Sequence, residues 1–85
     1  MNATHAVEFD FGHKWAESVG QALNYGAQSG RRPGVVLILE RPGDERYLRR
    51  VLTVREAYGL PLDVWTVGKD GETLPCPGCE TKGVP

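Results

Sequence analysis

The stretch Arg32-Pro33-Gly34-Val35-Val36-Leu37-Ile38-Leu39-Glu40-Arg41-Pro42-Gly43 constrains this chain more than any other. Val35–Leu39 is an unbroken aliphatic run, largely β-branched, closed at both ends by Pro-Gly pairs. Such a run is too short for a buried helix, and it lacks the alternation of a strand with one wet face. It fits a strand covered on both faces, as in a parallel sheet, where crossover helices pack against the strands. Everything around it must therefore supply neighbouring strands and covering helices.

The flanks read accordingly. Residues 4–11 alternate with period two: His5, Val7, Phe9 and Phe11 point to one side, Thr4, Ala6, Glu8 and Asp10 to the other. Residues 13–29 follow helical spacing. Trp15, Val19, Ala22, Leu23 and Gly26 share an apolar face bordered by Ala16, and Lys14, Glu17, Gln21, Tyr25 and Gln28 form a polar stripe. Lys14 and Glu17 are spaced for a surface ion pair. Gly30 suits a helix C-cap. A second helix is expected over about residues 45–58, with Asp44 as N-cap. Its apolar arc holds Tyr47, Leu48, Val51, Leu52, Val54 and Tyr58, and Arg55 inside that arc must snorkel or pair. Gly59-Leu60-Pro61 leads into a strand at 62–67, and Lys69-Asp70-Gly71-Glu72 is a turn from which 72–74 can return briefly.

The expected architecture is α/β, in the order β-α-β-α-β, with a small, mainly parallel sheet and two helices. Residues 1–74 form one domain, and 75–85, rich in Pro and Gly, form a flexible tail. At 85 residues the core is thin. Charged residues are 25% and the formal net charge is −1, so no overall charge draws the chain to nucleic acid, although a local basic face remains open. No segment approaches the ~18 apolar residues of a membrane span, and residues 1–11 lack the pattern of a secretory leader. The expectation is a cytoplasmic protein.

Cys76 and Cys79 form a single CxxC in Leu-Pro-Cys-Pro-Gly-Cys. Free thiols, a local disulfide and a zinc site shared between chains all stay open. Zinc is disfavoured because one CxxC supplies half of a tetrahedral site and the other candidates, His5 and His13, lie far upstream. A redox motif is disfavoured because this CxxC does not open a helix.

Glu8 and Asp10 project from one face of the first strand, about 7 Å apart. If the polar stripe of the following helix lines that end, Lys14, Gln21 and Tyr25 come near them. Two carboxylates and an ammonium in that arrangement suit Mg²⁺ and a water aimed at phosphate. The plainer reading is a solvated strand edge beside a wet helix face.

Glu8-Phe9-Asp10, three residues, then Lys14-Trp15-Ala16-Glu17-Ser18-Val19-Gly20-Gln21-Ala22-Leu23-Asn24-Tyr25, followed by the buried strand, resembles the second half of the PD-(D/E)xK nuclease core. Restriction endonucleases and Holliday-junction resolvases share that core. The resemblance covers about residues 4–40. It implies a restriction endonuclease-like half core and a metal-dependent phosphodiesterase acting on nucleic acid. Glu8 stands where the family has the acid of its acid-x-Lys motif, but Asp10 stands where it has lysine, and Lys14 is the substitute. The family's further Asp, on a preceding strand, has no counterpart in residues 4–40. The resemblance therefore implies half a site, with Glu8, Asp10, Lys14, Gln21 and Tyr25 as its residues and Mg²⁺ as its metal, in either a trimmed fragment of a nuclease or a compact relative that cannot cut on its own.

The alternative is a non-catalytic α/β interaction module. A first strand at the sheet edge, with Val7, Phe9 and Phe11 uncovered on one side, invites pairing with another chain, and a homodimer is expected. Arg31 and Arg32 are candidate nucleic-acid contacts. Arg46, Arg49 and Arg50 share a helix side, but Glu40, Asp44, Glu45 and Glu56 lie close enough in sequence to neutralise them, and no aromatic residue is evidently interleaved for base stacking.

Overall fold

A computed structural model describes residues 4–74. The chain forms β1 (His5–Phe11), a 3₁₀ turn (Gly12–Lys14), α1 (Trp15–Ser29), β2 (Arg32–Leu39), α2 (Glu45–Tyr58) and β3 (Asp63–Gly68). The three strands make one sheet in the order β1-β2-β3, parallel throughout. The fold is the β-α-β-α-β architecture expected from the alternation of elements. Cys76 and Cys79, with the rest of residues 75–85, lie outside the described residues.

Burial shows which sheet face the helices take. Val35, Leu37 and Val64 are fully or almost fully buried and pack with Val19 and Ala22 of α1 and Leu48 and Val51 of α2. These strand residues alternate with Phe9, Val36 and Trp65, which the register aligns in one row of the opposite face. Phe9 is 68% exposed and Trp65 44% exposed, yet Val36 between them is only 7% exposed. The expected cover by helices on both faces is thus met on one face only; on the other, Val36 is buried between its neighbours while Ile38 is only partly buried. Trp65 lies against β2 because residue 34 is glycine: a Cβ there would sit 2.8 Å from the indole Cζ3.

β2 starts at Arg32, earlier than its aliphatic run. Arg32, Pro33 and Gly34 carry loop-like side chains, but their backbone continues the parallel register opposite His5, Ala6 and Val7. Proline is tolerated at the start of a strand, where one missing N–H costs little. Both helices end at a glycine in the left-handed region, Gly30 at φ 70° and Gly59 at φ 61°.

Asp44 departs from expectation. It occupies the N-cap position of α2, but its φ of −66° and ψ of −14° are already helical. A capping carboxylate needs an extended backbone to reach the first turn. Instead its Oδ2 accepts the N–H groups of Glu40 and Arg41, each at 3.1 Å, and pins the β2–α2 loop. Tyr58, expected in the apolar arc of α2, is 77% exposed because it ends the helix beyond the last covering residue. Arg55 is 5% exposed, with Nη1 3.5 Å from the carbonyl of Leu62 and Nε 3.6 Å from Glu56. After β3 the chain returns as expected, through a Val67–Thr73 bridge and a Leu74 N–H donated to the carbonyl of Thr66 at 3.1 Å.

Two glycines of α1 give substitutions of opposite sign. At Gly20 a Cβ meets nothing within 4 Å, so Gly20→Ala should stabilise by about 0.5–1 kcal/mol through helix propensity. At Gly26 it would lie 2.9 Å from the backbone carbonyl of Arg31 and 3.2 Å from Pro33 Cδ, neither of which can swing away. Overpacking of that kind costs about 1–3 kcal/mol and outweighs the propensity gain, so Gly26→Ala should be net destabilising. Urea midpoints of the two variants on either side of the parent value are the expected result.

Candidate functional site

The β1 edge collects most of the residues singled out from sequence. Ala6 is buried beneath α1, so the same-side Glu8 and Asp10 also face the helix layer, and each is half-buried at its margin. Asp10 is held from two directions. Its Oδ1 accepts the Phe11 N–H at 2.9 Å, and its Oδ2 accepts from the Ser18 hydroxyl at 3.2 Å. That hydroxyl also lies 3.1 Å from the carbonyl of Lys14, so its one proton is shared between two acceptors. The Glu8 side chain has no hydrogen bond or ion pair among the described residues. It is the carboxylate of this edge left open to a ligand.

Ser18 fixes the orientation of α1 over this edge. It is fully buried on the flank that meets Asp10, and Gln21 and Tyr25 follow on that flank at spacings of three and seven. Gln21 and Tyr25 lie one and two turns further along α1 from Ser18, on the same flank of the helix. Gln21 is half-buried and Tyr25 is 41% exposed. Lys14 ends the 3₁₀ turn at the same end as Asp10; its side chain is exposed and makes no ion pair with Asp10 or Glu17. The expected Lys14–Glu17 pair is absent because Lys14 precedes the regular helix, with φ −100° and ψ 21°.

Arg31 and Arg32 lie at the opposite end of the sheet, where β2 begins. Arg32 Nε donates to Asp63 Oδ2 at 2.8 Å, and His5 Nε2 meets the same oxygen at 2.8 Å. One carboxylate thus ties together the amino ends of all three strands, and Arg32 is engaged in structure. His5 also stacks edge-on against Trp65, with ring centroids 5.7 Å apart.

The carboxyl ends of β1 and β2, where parallel sheets present their ligand sites, open onto two cavities beside α2. One, of about 580 Å³, is walled by Leu39, Leu48, Leu52 and Leu74 with Arg41 and Arg49 at its rim. The other, of about 300 Å³, is polar and lined by His13, Glu40, Arg41, Asp44, Arg46 and Tyr47. Among the described residues none of Glu40, Asp44, Glu45 and Glu56 forms an ion pair with Arg46, Arg49 or Arg50. Asp44 is occupied by backbone N–H groups, Glu40 approaches Arg41 at 3.9 Å, and Glu56 pairs with the inward Arg55.

No family model, curated protein or solved structure matches this chain. The functional reading therefore rests on the residues themselves. Among the described residues no group of three or more His, Cys, Asp and Glu side chains is placed to hold a metal ion. Glu8 and Asp10 are two carboxylates, and Mg²⁺ is commonly held by one or two, with water and substrate oxygens filling the octahedron. The pair fits that hard, oxygen-only chemistry as a partial site.

Sequence reasoning missed Ser18 and Asp63. Ser18 could have been found as the polar residue beside the apolar arc of α1 on its β1 flank. Asp63 required the register between β2 and β3.

Proposed function

We propose that this chain carries the α/β half core of a metal-dependent phosphodiesterase acting on nucleic acid, with the β1 edge as its site. The observation that carries the reading is the placement of Glu8, unpartnered among the described residues, and Asp10, fixed by Ser18, on the side of an edge strand that Gln21 and Tyr25 flank. In this reading Glu8 and Asp10 offer the metal-binding oxygens. Bound Mg²⁺ would neutralise phosphate charge and acidify a coordinated water. The Gln21 amide and Tyr25 phenol hold that water or a phosphate oxygen by hydrogen bonds, and the Lys14 ammonium, exposed and without an acid partner, offsets further phosphate charge. Two carboxylates leave the site short of the family's third, so the chain alone binds metal but does not cleave.

Metal binding is the first test. At a metal concentration ten times the dissociation constant, linkage contributes about 1.4 kcal/mol, which for a domain this size is roughly 6–11 °C in Tm. Mg²⁺ or Mn²⁺ in the millimolar range should raise the parent Tm by several degrees and leave Glu8→Gln unmoved. An unshifted parent in both metals counts against the site.

A second reading has its own observation. The bare sheet face shows Phe9 at 68%, Phe11 at 40% and Trp65 at 44% exposure, and β1 is an unpaired edge, whereas the outer edge of β3 is partly closed by Thr73 and Leu74. An interaction module pairing with a second copy through β1 would cover both. Light scattering should then give a mass near twice 9.3 kDa, and a 9.3 kDa species at high micromolar concentration contradicts it. Among the described residues no helix is long and apolar enough to cross a membrane.

A further inference from the structure

The outward arc of α2 carries Arg46, Arg49 and Arg50, all exposed, within about 100° of the helix circumference. Thr53 and Ala57 continue the same arc, so it holds cations and small residues only. Among the described residues none of the three arginines has a carboxylate within ion-pairing distance. All three are thus held by no direct ion pair and stay available to a partner, although the chain's net charge is −1.

Two of the three arginines are also ordered in advance. Arg46 lies 4.5 Å over the Tyr47 ring, donates Nη2 to the Tyr47 hydroxyl at 2.7 Å and places Nη1 3.3 Å from the carbonyl of Gly43. Arg50 lies 5.5 Å from the same ring. Tyr47 is itself wedged against the 3₁₀ turn, where a Cβ on Gly12 would stand 3.0 Å from its ring. Tyr47, next to Arg46 in sequence, thus borders the arginine arc as an aromatic platform, contrary to the expectation that no aromatic residue is interleaved with these cations. The polar cavity beside Arg46 and Tyr47 also holds Glu40, Arg41 and Asp44, with Arg41 3.9 Å from Glu40, so the basic surface is confined to the three helix arginines.

We propose that this outer face of α2 docks the sugar–phosphate backbone of a nucleic acid. Guanidinium forks match phosphate oxygens in pairs. Residues three and four apart on a helix lie about 4.5–6 Å apart along its axis, a spacing over which a duplex presents several phosphates. A lipid surface fits less well, because an interfacial helix needs large apolar residues beside its cations and this arc has none. The docking face is separate from the Glu8–Asp10 edge, depends on no metal, and stands whether or not the chain cleaves.

Anisotropy of a labelled 20-base-pair DNA duplex, titrated with the full chain between 50 and 200 mM NaCl, tests it. Three phosphate contacts give a log–log salt slope of about −2.7, so affinity should fall about 40-fold across that range. The triple variant Arg46→Gln, Arg49→Gln, Arg50→Gln alters only exposed side chains and should keep the parent melting curve. Its affinity at 50 mM should fall at least tenfold and its slope should approach zero. Three results would overturn the proposal: no binding of the parent at 50 mM, an unchanged slope in the triple variant, or tighter binding to phosphatidylserine vesicles than to the duplex.

Discussion

Leu37→Ala should cost this chain a large share of its stability. Leu37 is fully buried in the central strand, aligned with Asp10 on one side and Thr66 on the other, under both helices. Truncating a leucine in such a place costs about 3–5 kcal/mol, because the rigid strand cannot collapse into the space. A domain of this length has about 4–12 kcal/mol in total. The neighbouring Val36 makes the control. It is nearly as buried, but its cover is two exposed aromatic rings that can settle inward, so Val36→Ala should cost about 1–2 kcal/mol. Urea unfolding followed by circular dichroism should show the midpoint of Leu37→Ala lowered about two to three times as far as that of Val36→Ala. Equal losses would mean that the helix-covered face is not the principal core.

Asp63→Ala is expected to have the second largest effect. Its carboxylate is the common acceptor for His5 of β1 and Arg32 of β2, each at 2.8 Å, with the Asp63 side chain only 12% exposed. Removing one partner from a fully buried pair costs about 3–5 kcal/mol. Arg32 and His5 retain 34% and 23% side-chain exposure, so water can resolvate them and the cost falls to about 2 kcal/mol. That corresponds to roughly 8–16 °C in Tm. Asp63→Asn keeps one acceptor oxygen and should lose about half as much. The emission of Trp65 should change as well, since the His5 ring rests against it. A variant with parental Tm and emission would show that the strand ends are held by other means.

The architecture was legible because its strongest signals are local. The Val35–Leu39 run could only be a central strand, and the arcs of α1 and α2 are set by spacing alone. Strand limits were less legible: Arg32, Pro33 and Gly34 have turn-forming side chains, and only the ladder with β1 makes them strand. Asp44 misled because cap identity is readable from sequence but the dihedrals that aim the carboxylate are not. At the site, alternation placed Glu8 and Asp10 on one face. It could not say that Ser18 would hold Asp10, a contact that depends on how α1 is rotated over the sheet. The ion pairs expected of the α2 arginines were not legible for the same reason: Asp44 turns its carboxylate to backbone N–H groups and Glu56 turns to Arg55.

In the proposed function, the edge formed by Glu8 and Asp10 binds a divalent cation. Paramagnetic broadening by Mn²⁺ in the amide spectrum of the isotope-labelled chain tests it most directly. Substoichiometric Mn²⁺ should first erase the resonances of Glu8, Phe9, Asp10, Ser18 and Gln21. The broadening should be reversed by excess Mg²⁺ and be lost in the Glu8→Gln, Asp10→Asn double variant. Broadening that centres elsewhere, or that survives unchanged in the double variant, would contradict the account.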